Sequence, residues 1–345
     1  MEIVVVGDNF LPSRLMERIL IEKLSKFNPH IECLDWTFES FDELQEKFLL
    51  IEKFGPEVLH TPKEFQSIIK EADILIVHYY PVSASTIENA SKLKLIGCCR
   101  GGYENINIDA ARKKGVIVVN APGRTANAVA EFTIGLMIAE ARNIARGHHA
   151  LKSGIWRKNY VNDEYRMELR DKVIGIIGFG NIGRRVAQLL KAFNVKTILV
   201  YDPYIPNEEI VKAGCEPADL RRIFQESDFI TIHARLTKES VCLINRELIS
   251  LMKRTAYIIN TARAGLIDYN ALYEALKERR IGGAALDVFD LEPLPSNSPW
   301  LELDNVTLTP HLAGDTIETR LNGIIIISEE IAAFLEGRPL HNRVV

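Results

Sequence analysis

The sequence predicts an α/β protein made of two doubly wound parallel-sheet domains, and three observations lead there. Short apolar runs alternate with longer segments of helical period, the rhythm of parallel strands joined by crossover helices. This alternation occurs twice along the chain, and 345 residues exceed the roughly 250–300 at which a single hydrophobic core stops growing. A glycine-rich turn sits near the start of the second series.

In the first series the strands are Ile3 to Val6, Ile74 to Val77, Leu95 to Cys99 and Val116 to Val119, each ending at Gly, Asn or a polar turn. Asp109 to Lys114 reads as a helix, with basic residues in its last turn and Gly115 just beyond. Asn120-Ala121-Pro122-Gly123 is the candidate crossing into the second series. Asn127 to Lys152 is predicted as one long helix whose buried face is Val129, Phe132, Thr133, Leu136, Met137 and Ala141. The second series of strands is Val173 to Gly178, Thr197 to Asp202, Phe229 to His233, Ala256 to Asn260, Ala284 to Val288 and Val306 to Thr309. A last helix, about Thr316 to Glu336, stops at Gly337-Arg338-Pro339 and is placed to return to the first series.

Composition narrows the partner. With 42 Lys+Arg against 46 Asp+Glu, the formal charge of -4 offers no basic footprint for nucleic acid or an anionic membrane. No run approaches the ~18–20 apolar residues of a membrane span, and Asp8 directly follows the first apolar run, which argues against a secretory signal. Cys33, Cys98, Cys99, Cys215 and Cys242 lack zinc-site spacing and read as buried, reduced thiols. These features predict a cytoplasmic protein with a small-molecule partner.

Gly178-Phe179-Gly180-Asn181-Ile182-Gly183 lies between a strand and a helix with an apolar face of Ile182, Val186, Leu189 and Phe193. Gly178 permits a tight turn, Gly180 lets the backbone approach a pyrophosphate, and Gly183 lets helix and strand pack closely. Amides at the helix start, from Asn181 and Ile182 onward, then face the phosphates. Asp202 ends the next strand 19 residues after Gly183, near the ~20 expected of a carboxylate that binds ribose hydroxyls. Its plainer reading is a turn former ahead of Pro203. The motif makes the second unit a Rossmann domain, and a carboxylate at Asp202 repels a 2′-phosphate, which favours NAD over NADP.

Beyond the motif stand three groups suited to hydride chemistry on a carboxylate-bearing ketone. Arg263 offers a planar fork for a carboxylate. His311 is a histidine, the side-chain type suited to exchanging a proton with the substrate oxygen. Glu292 is an acid whose proximity favours the imidazolium. Each follows a predicted strand, where open α/β sheets bind ligands. Singly, Arg263 reads equally as a solvated loop charge, Glu292 as a surface acid before Pro293 and His311 as an ordinary hydrogen-bonded histidine.

Four segments taken in order resemble the D-isomer-specific 2-hydroxyacid dehydrogenases: Val173 to Gly183, Ile259-Asn-Thr-Ala-Arg-Ala-Gly-Leu-Ile-Asp268, Gly283-Ala-Ala-Leu-Asp-Val-Phe-Asp-Leu-Glu-Pro293 and Leu308-Thr-Pro-His-Leu-Ala-Gly314. The resemblance extends through Ala128-Val-Ala-Glu-Phe132, Gly154-Ile-Trp156 and Gly337-Arg-Pro-Leu340. It implies catalytic roles for Arg263, Glu292 and His311, a nicotinamide contact at Asp287, and a cofactor lining from Thr261, Ala262, His233 and Ala234. It also implies a discontinuous, flavodoxin-like substrate domain of residues 1–120 and 316–345, a central NAD domain of residues 121–315, and a homodimer built through the arm near 125–160. No appended regulatory domain is expected.

Arg100-Gly101-Gly102 occupies the place of the family's substrate loop, where backbone amides hold a carboxylate. Arg100 departs from the usual small residue, and His78-Tyr79-Tyr80 replaces a stretch that often contains arginine. Arg100 is a candidate for a phosphate or second carboxylate, against the alternative of an ion pair with Glu104. Ala264 in place of glycine, and His233-Ala234-Arg235 in place of a proline, mark a subgroup. The resulting expectation is an NAD-linked oxidoreductase of small D-2-hydroxy or 2-keto acids, against a dinucleotide sensor of corepressor type. Formate-type hydride transfer is disfavoured because it needs no proton donor paired with an acid.

Overall fold

The computed structural model describes residues 1–345 apart from the side chains of residues 41, 42 and 45. The chain forms two compact units, Met1–Arg124 with Thr316–Val345, and Thr125–Asp315.

The first unit holds a five-stranded parallel sheet of β1 (Glu2–Gly7), β2 (His30–Asp35), β3 (Ile74–Val77), β4 (Leu95–Cys98) and β5 (Ile117–Asn120), in the order β2-β1-β3-β4-β5. This is the flavodoxin-like order. Apolar runs suit it because successive residues enter cores on opposite faces. In β1, Ile3 and Val5 join Met16, Leu20 and Ile327 on one side, whereas Val4 and Val6 join Leu44, Leu75 and Tyr80 on the other. The C-terminal helix Ile317–Leu335, capped by Thr316, belongs to the first of these faces. The chain end then pairs antiparallel with β5 at Val119 and Arg343, which ties the two sequence segments into one unit.

The second unit holds a seven-stranded parallel sheet of β6 (Val173–Ile177), β7 (Thr197–Tyr201), β8 (Glu216–Pro217), β9 (Phe229–Ile232), β10 (Tyr257–Asn260), β11 (Gly283–Leu286) and β12 (Val306–Leu308), in the order β12-β11-β10-β9-β6-β7-β8. Strand order reverses at β6, which pairs with both β7 and β9. Open α/β sheets bind ligands at the carboxyl ends beside such a reversal. Cores cover both faces: Ile174, Ile176 and Tyr257 lie on one, and Ile230, Ile258 and Leu286 on the other.

The single helix expected over Asn127 to Lys152 is two, Ala126–Ala141 and Ile144–Lys152. Asn143 breaks it at φ 58°, a left-handed conformation that Asn tolerates better than most side chains. The corner is held by hydrogen bonds from Asn143 Nδ2 to Asn162 Oδ1 at 2.6 Å and from Arg146 Nη1 to Asn143 Oδ1 at 3.0 Å. The thiols also depart from expectation. Cys98, Cys99 and Cys215 are buried, but Cys33 is half-buried and Cys242 exposed, since Cys242 lies in a turn at φ 50° outside the strands. Among the described residues, no helix is long and apolar enough to cross a membrane.

Candidate active site

β6 runs into a glycine turn in which two positions have no room for a side chain. Gly178 has φ 94°, and a Cβ there would stand 2.5 Å from the amide nitrogen of Ala234 and 2.6 Å from the carbonyl carbon of His233. A Cβ on Gly183 would come 2.1 Å from the Gly178 oxygen. Gly180 differs, because a Cβ there would meet nothing within 4 Å. It is the extended N-cap of the helix Asn181–Lys191 and supplies no side-chain cap. Gly180, Asn181, Ile182 and Gly183 therefore begin a helix with unpaired amides, open space and the positive end of the helix dipole, a combination that fits a pyrophosphate.

Asp202, just past β7, accepts hydrogen bonds from the Phe179 amide at 2.7 Å and the Tyr204 amide at 2.9 Å. It therefore forms its own turn and braces the glycine loop, so the turn-former reading and the position beside the nucleotide loop hold together. His233 closes the far side of Gly178. Burial pulls its pKa down to about 3, which keeps the ring neutral. Its Nε2 lies 3.0 Å from Thr231 Oγ1, while Nδ1 is buried without a partner.

Arg263, Glu292 and His311 come from the loops after β10, β11 and β12, consecutive strands of one sheet. Register aligns Asn260 with Leu286 and Leu286 with Leu308, so the loops leave the sheet at one level, about 4.8 Å apart per strand. A ladder of hydrogen bonds joins them. Asn260 Nδ2 donates to the Arg263 carbonyl at 3.0 Å, the Asp287 amide to the Asn260 carbonyl at 3.0 Å, and the His311 amide to the Asp287 carbonyl at 2.9 Å.

His311 adopts φ 54° and places Nδ1 2.7 Å from Glu292 Oε2. Glu292 is oriented in turn, since its Oε1 accepts from the Phe289 amide at 2.9 Å. With Nδ1 engaged and the side chain 45% exposed, Nε2 is the nitrogen left to exchange a proton. Arg263 is exposed, donates from Nη1 to the Ala262 carbonyl at 2.7 Å, and pairs with no carboxylate among the described residues. Thr261 Oγ1 lies 3.0 Å from Thr133 Oγ1 on the helix Ala126–Ala141, and the Ala262 amide donates to Asn260 Oδ1 at 3.0 Å.

Asp287, expected to touch nicotinamide, has no exposed surface. Its Oδ1 accepts from Thr309 Oγ1 at 2.5 Å and the Leu312 amide at 2.9 Å, and its Oδ2 from the Ala313 amide at 2.9 Å. In this structure the carboxylate moulds the loop that carries His311.

In the first unit, Arg100, Gly101 and Gly102 follow β4. Asn120 Nδ2 donates to the Gly101 carbonyl at 2.6 Å, and the Gly102 carbonyl accepts a 3.4 Å contact from Cys98 Sγ. A Cβ on Gly102 would lie 2.2 Å from Glu104 Oε2, so only glycine fits beside that side chain as placed. The Arg100–Glu104 ion pair exists but is long, 3.9 Å, and Glu52 stands on the other side at 3.5 Å.

Several residues that organise these loops were not singled out in the sequence. Asn260 and Thr309 lie within or beside the quoted motifs, and a polar residue closing an apolar strand was the available signal. Asp8 and Asn105 are less visible. Asp8 receives the amides of Phe10, Leu11 and Tyr79 and lies 2.9 Å from His78 Nδ1, while Asn105 Nδ2 donates to the His78 and Tyr80 carbonyls.

Residues 134–313 match the model of the D-isomer specific 2-hydroxyacid dehydrogenase, NAD binding domain. The D-3-phosphoglycerate dehydrogenase of Methanocaldococcus jannaschii is 46% identical over 82% of this chain and 53% of its own length. The hydroxypyruvate reductase of Thermotoga maritima is 42% identical over 82% of this chain and 92% of its own. The NAD-complexed D-isomer specific 2-hydroxyacid dehydrogenase of Lactobacillus delbrueckii shares the fold with a TM-score of 0.78 over 100% of both chains at 22% identity. The chain belongs to the D-isomer-specific 2-hydroxyacid dehydrogenase family, and residues 134–313 are its NAD-binding domain. It spans about half the length of the phosphoglycerate dehydrogenases it matches.

Proposed function

We propose that the protein is an NAD-dependent oxidoreductase that interconverts small D-2-hydroxy acids and 2-keto acids. The observation that carries this reading is the His311 Nδ1–Glu292 hydrogen bond of 2.7 Å, set on the same sheet as the glycine loop and the unpaired guanidinium of Arg263. In the reduction, His311 donates a proton from Nε2 to the substrate oxygen, and in the oxidation it takes that proton back. Glu292 holds the ring in the orientation that leaves Nε2 for this task. Arg263 grips the substrate carboxylate with its fork and polarises the neighbouring carbonyl. Bound nicotinamide supplies the hydride in one direction and accepts it in the other. Gly180 to Gly183 hold the pyrophosphate, Asp202 the ribose, and the backbone from Thr261 to Ala262 with His233 and Ala234 lines the cofactor.

The first unit serves as the substrate domain, with Gly101 and Gly102 presenting amides to a carboxylate. The stretch from 125 to 160 forms a homodimer contact, supported by exposed Ile144, Leu151, Ile155 and Trp156, the last 78% exposed. Five free cysteines are in keeping with a reducing, cytoplasmic setting.

The competing reading is a dinucleotide sensor with little turnover. The oriented histidine–acid pair favours the enzyme, because a protein that only senses NAD needs no proton donor. Measuring NADH oxidation with glyoxylate, hydroxypyruvate and pyruvate decides between them. Turnover of at least one is expected, and NADH binding with no turnover of any would make the protein a sensor.

A further inference from the structure

The helix Phe41–Phe54 follows β2 in the first unit and is capped by Ser40, whose hydroxyl accepts from the Glu43 amide. Leu44, Phe48 and Ile51 are buried, at the i, i+4, i+7 spacing of one helix face. Phe48 turns toward the loops after β3 and β4. Its ring meets that of Tyr79 edge-on at 4.2 Å, and the Arg100 guanidinium lies 3.8 Å from the Phe48 ring centroid and 4.8 Å from that of Tyr79. Glu52, one turn further along the helix, is 3.5 Å from Arg100 Nη2. One side chain from the loop after β4 thus touches both an aromatic face and a carboxylate of this helix.

The loop end of the contact is equally defined. The Arg100 carbonyl accepts from the Ala121 amide at 2.8 Å and the Gly101 carbonyl from Asn120 Nδ2 at 2.6 Å, so the backbone is pinned to the end of β5 while the side chain runs to the helix. Arg100 Nη1 and Glu104 Oε2 face each other at 3.9 Å, and each is buried without a hydrogen-bond partner. That same Glu104 oxygen would be 2.2 Å from a Cβ on Gly102, so Glu104 carries the pull of Arg100 onto Gly102. Arg100, its side chain 10% exposed, is held by ring stacking and charge more than by short hydrogen bonds. The contact has slack: a shift of about 1 Å would turn the Arg100 and Glu104 pair into a charge-assisted hydrogen bond.

We propose that Arg100 is a positioning residue that couples the helix Phe41–Phe54 to the loop after β4, so that seating the helix sets how Gly101 and Gly102 present their amides to the substrate carboxylate. The proposal rests on the keto-acid reading above. Arg100 itself takes no substrate group, because rings cover its face and the carboxylates of Glu52 and Glu104 flank it. Such coupling is reciprocal. A carboxylate held by the loop also steadies the helix.

The test measures KM and kcat for the best 2-keto acid, together with amide exchange at residues 46–54 and 100–104, in the parent, Arg100→Met, Arg100→Lys, Phe48→Leu and the Met–Leu double variant. Circular dichroism melting establishes that each folds. Arg100→Met should raise KM about tenfold, the scale of one charge-assisted contact, with kcat changed less than about twofold, and Arg100→Lys should recover part of the loss. Phe48→Leu alters no loop residue yet should raise KM in the same direction, and the double variant should be no worse than Arg100→Met, because both substitutions break one link. With NAD+ present, so that no reduction follows, saturating keto acid should slow exchange in both segments of the parent but only at residues 100–104 of Arg100→Met. A lower Tm with unchanged KM in Arg100→Met or Phe48→Leu, or KM effects that multiply in the double variant, would overturn the coupling and leave the dehydrogenase intact. If Arg100→Met does not fold, KM in Phe48→Leu decides alone. If the parent turns over no acid, the dehydrogenase reading fails separately, and exchange without substrate then decides the coupling: acceleration at residues 100–104 in Phe48→Leu supports it, and unchanged exchange there overturns it.

Discussion

The loops after β10, β11 and β12 and the loops after β1, β3 and β4 occupy corresponding carboxyl edges of two parallel sheets, but they manage their polar groups in opposite ways. In the loops after β10, β11 and β12 the buried Asp287 and Asn260 are matched: Asp287 takes Thr309, Leu312 and Ala313, and Asn260 serves both Ala262 and Arg263, although His233 Nδ1 and Ser227 Oγ elsewhere in the same unit are not. The result is a prebuilt mount from which His311 and Arg263 project. In the first unit Asp8 and Asn105 organise the loops as tightly, yet Arg100 and His78 keep buried donors or acceptors unmatched. A satisfied network rigidifies a site, whereas an unmatched buried group costs stability. The contrast teaches that the loops carrying His311 and Arg263 are fixed by hydrogen bonds among themselves, while the loops after β3 and β4 keep polar groups unmatched.

The largest effect that would break this comparison comes from Asp287→Ala. Removing the carboxylate strands two backbone amides and a hydroxyl under the His311 loop, at a cost of several kcal/mol for buried unpaired groups. Turnover should fall by ~10²-fold or more, and hydrogen exchange should accelerate at residues 309–313. Normal protection with normal turnover would show that the loop does not depend on Asp287.

Asp202→Ala should have a more moderate effect, weakening NAD by about tenfold while NADP changes less, because the carboxylate that repels a 2′-phosphate is gone. Parallel loss of both cofactors, read from fluorescence titrations, would assign Asp202 to bracing Phe179 and Tyr204 alone.

The smallest expected effect concerns Glu140, which is buried with Arg146 Nη2 and Thr307 Oγ1 each at 2.6 Å from its oxygens. Burial pushes its pKa up from 4.5 to about 7, against the pull of Arg146 and Thr307. The folded protein then binds more protons than the unfolded chain between these values. The associated stability is complete below pH 4.5 and is lost as pH rises through about 7. Glu140→Gln should therefore flatten the dependence of Tm on pH between about 5 and 7. An unchanged slope would mean that Arg146 keeps Glu140 charged throughout.

Much of the second unit was legible in the sequence because its constraints are local. Gly178 and Gly183 are glycines since the backbone of residue 234 and the Gly178 carbonyl leave no space for a Cβ, and such positions announce themselves in a strand–turn–helix setting. The pairing of Glu292 with His311 was readable from motif context. What escaped depends on tertiary structure. β2 lies at a sheet edge with every residue at least partly exposed, so it lacks an apolar run, and β8 is only two residues long. The break at Asn143 is stabilised by Asn162, far along the chain. The burial of Asp287 and the stacking of Arg100 on Phe48 likewise follow from packing that no spacing rule encodes.

The account turns on the proton carried at Nε2 of His311, and His311→Gln tests it directly when NADH affinity and kcat/KM for the best 2-keto acid are measured on the same preparation. A loss of ~10²-fold or more in kcat/KM with NADH affinity nearly unchanged is predicted. Turnover equal to the parent's would contradict it.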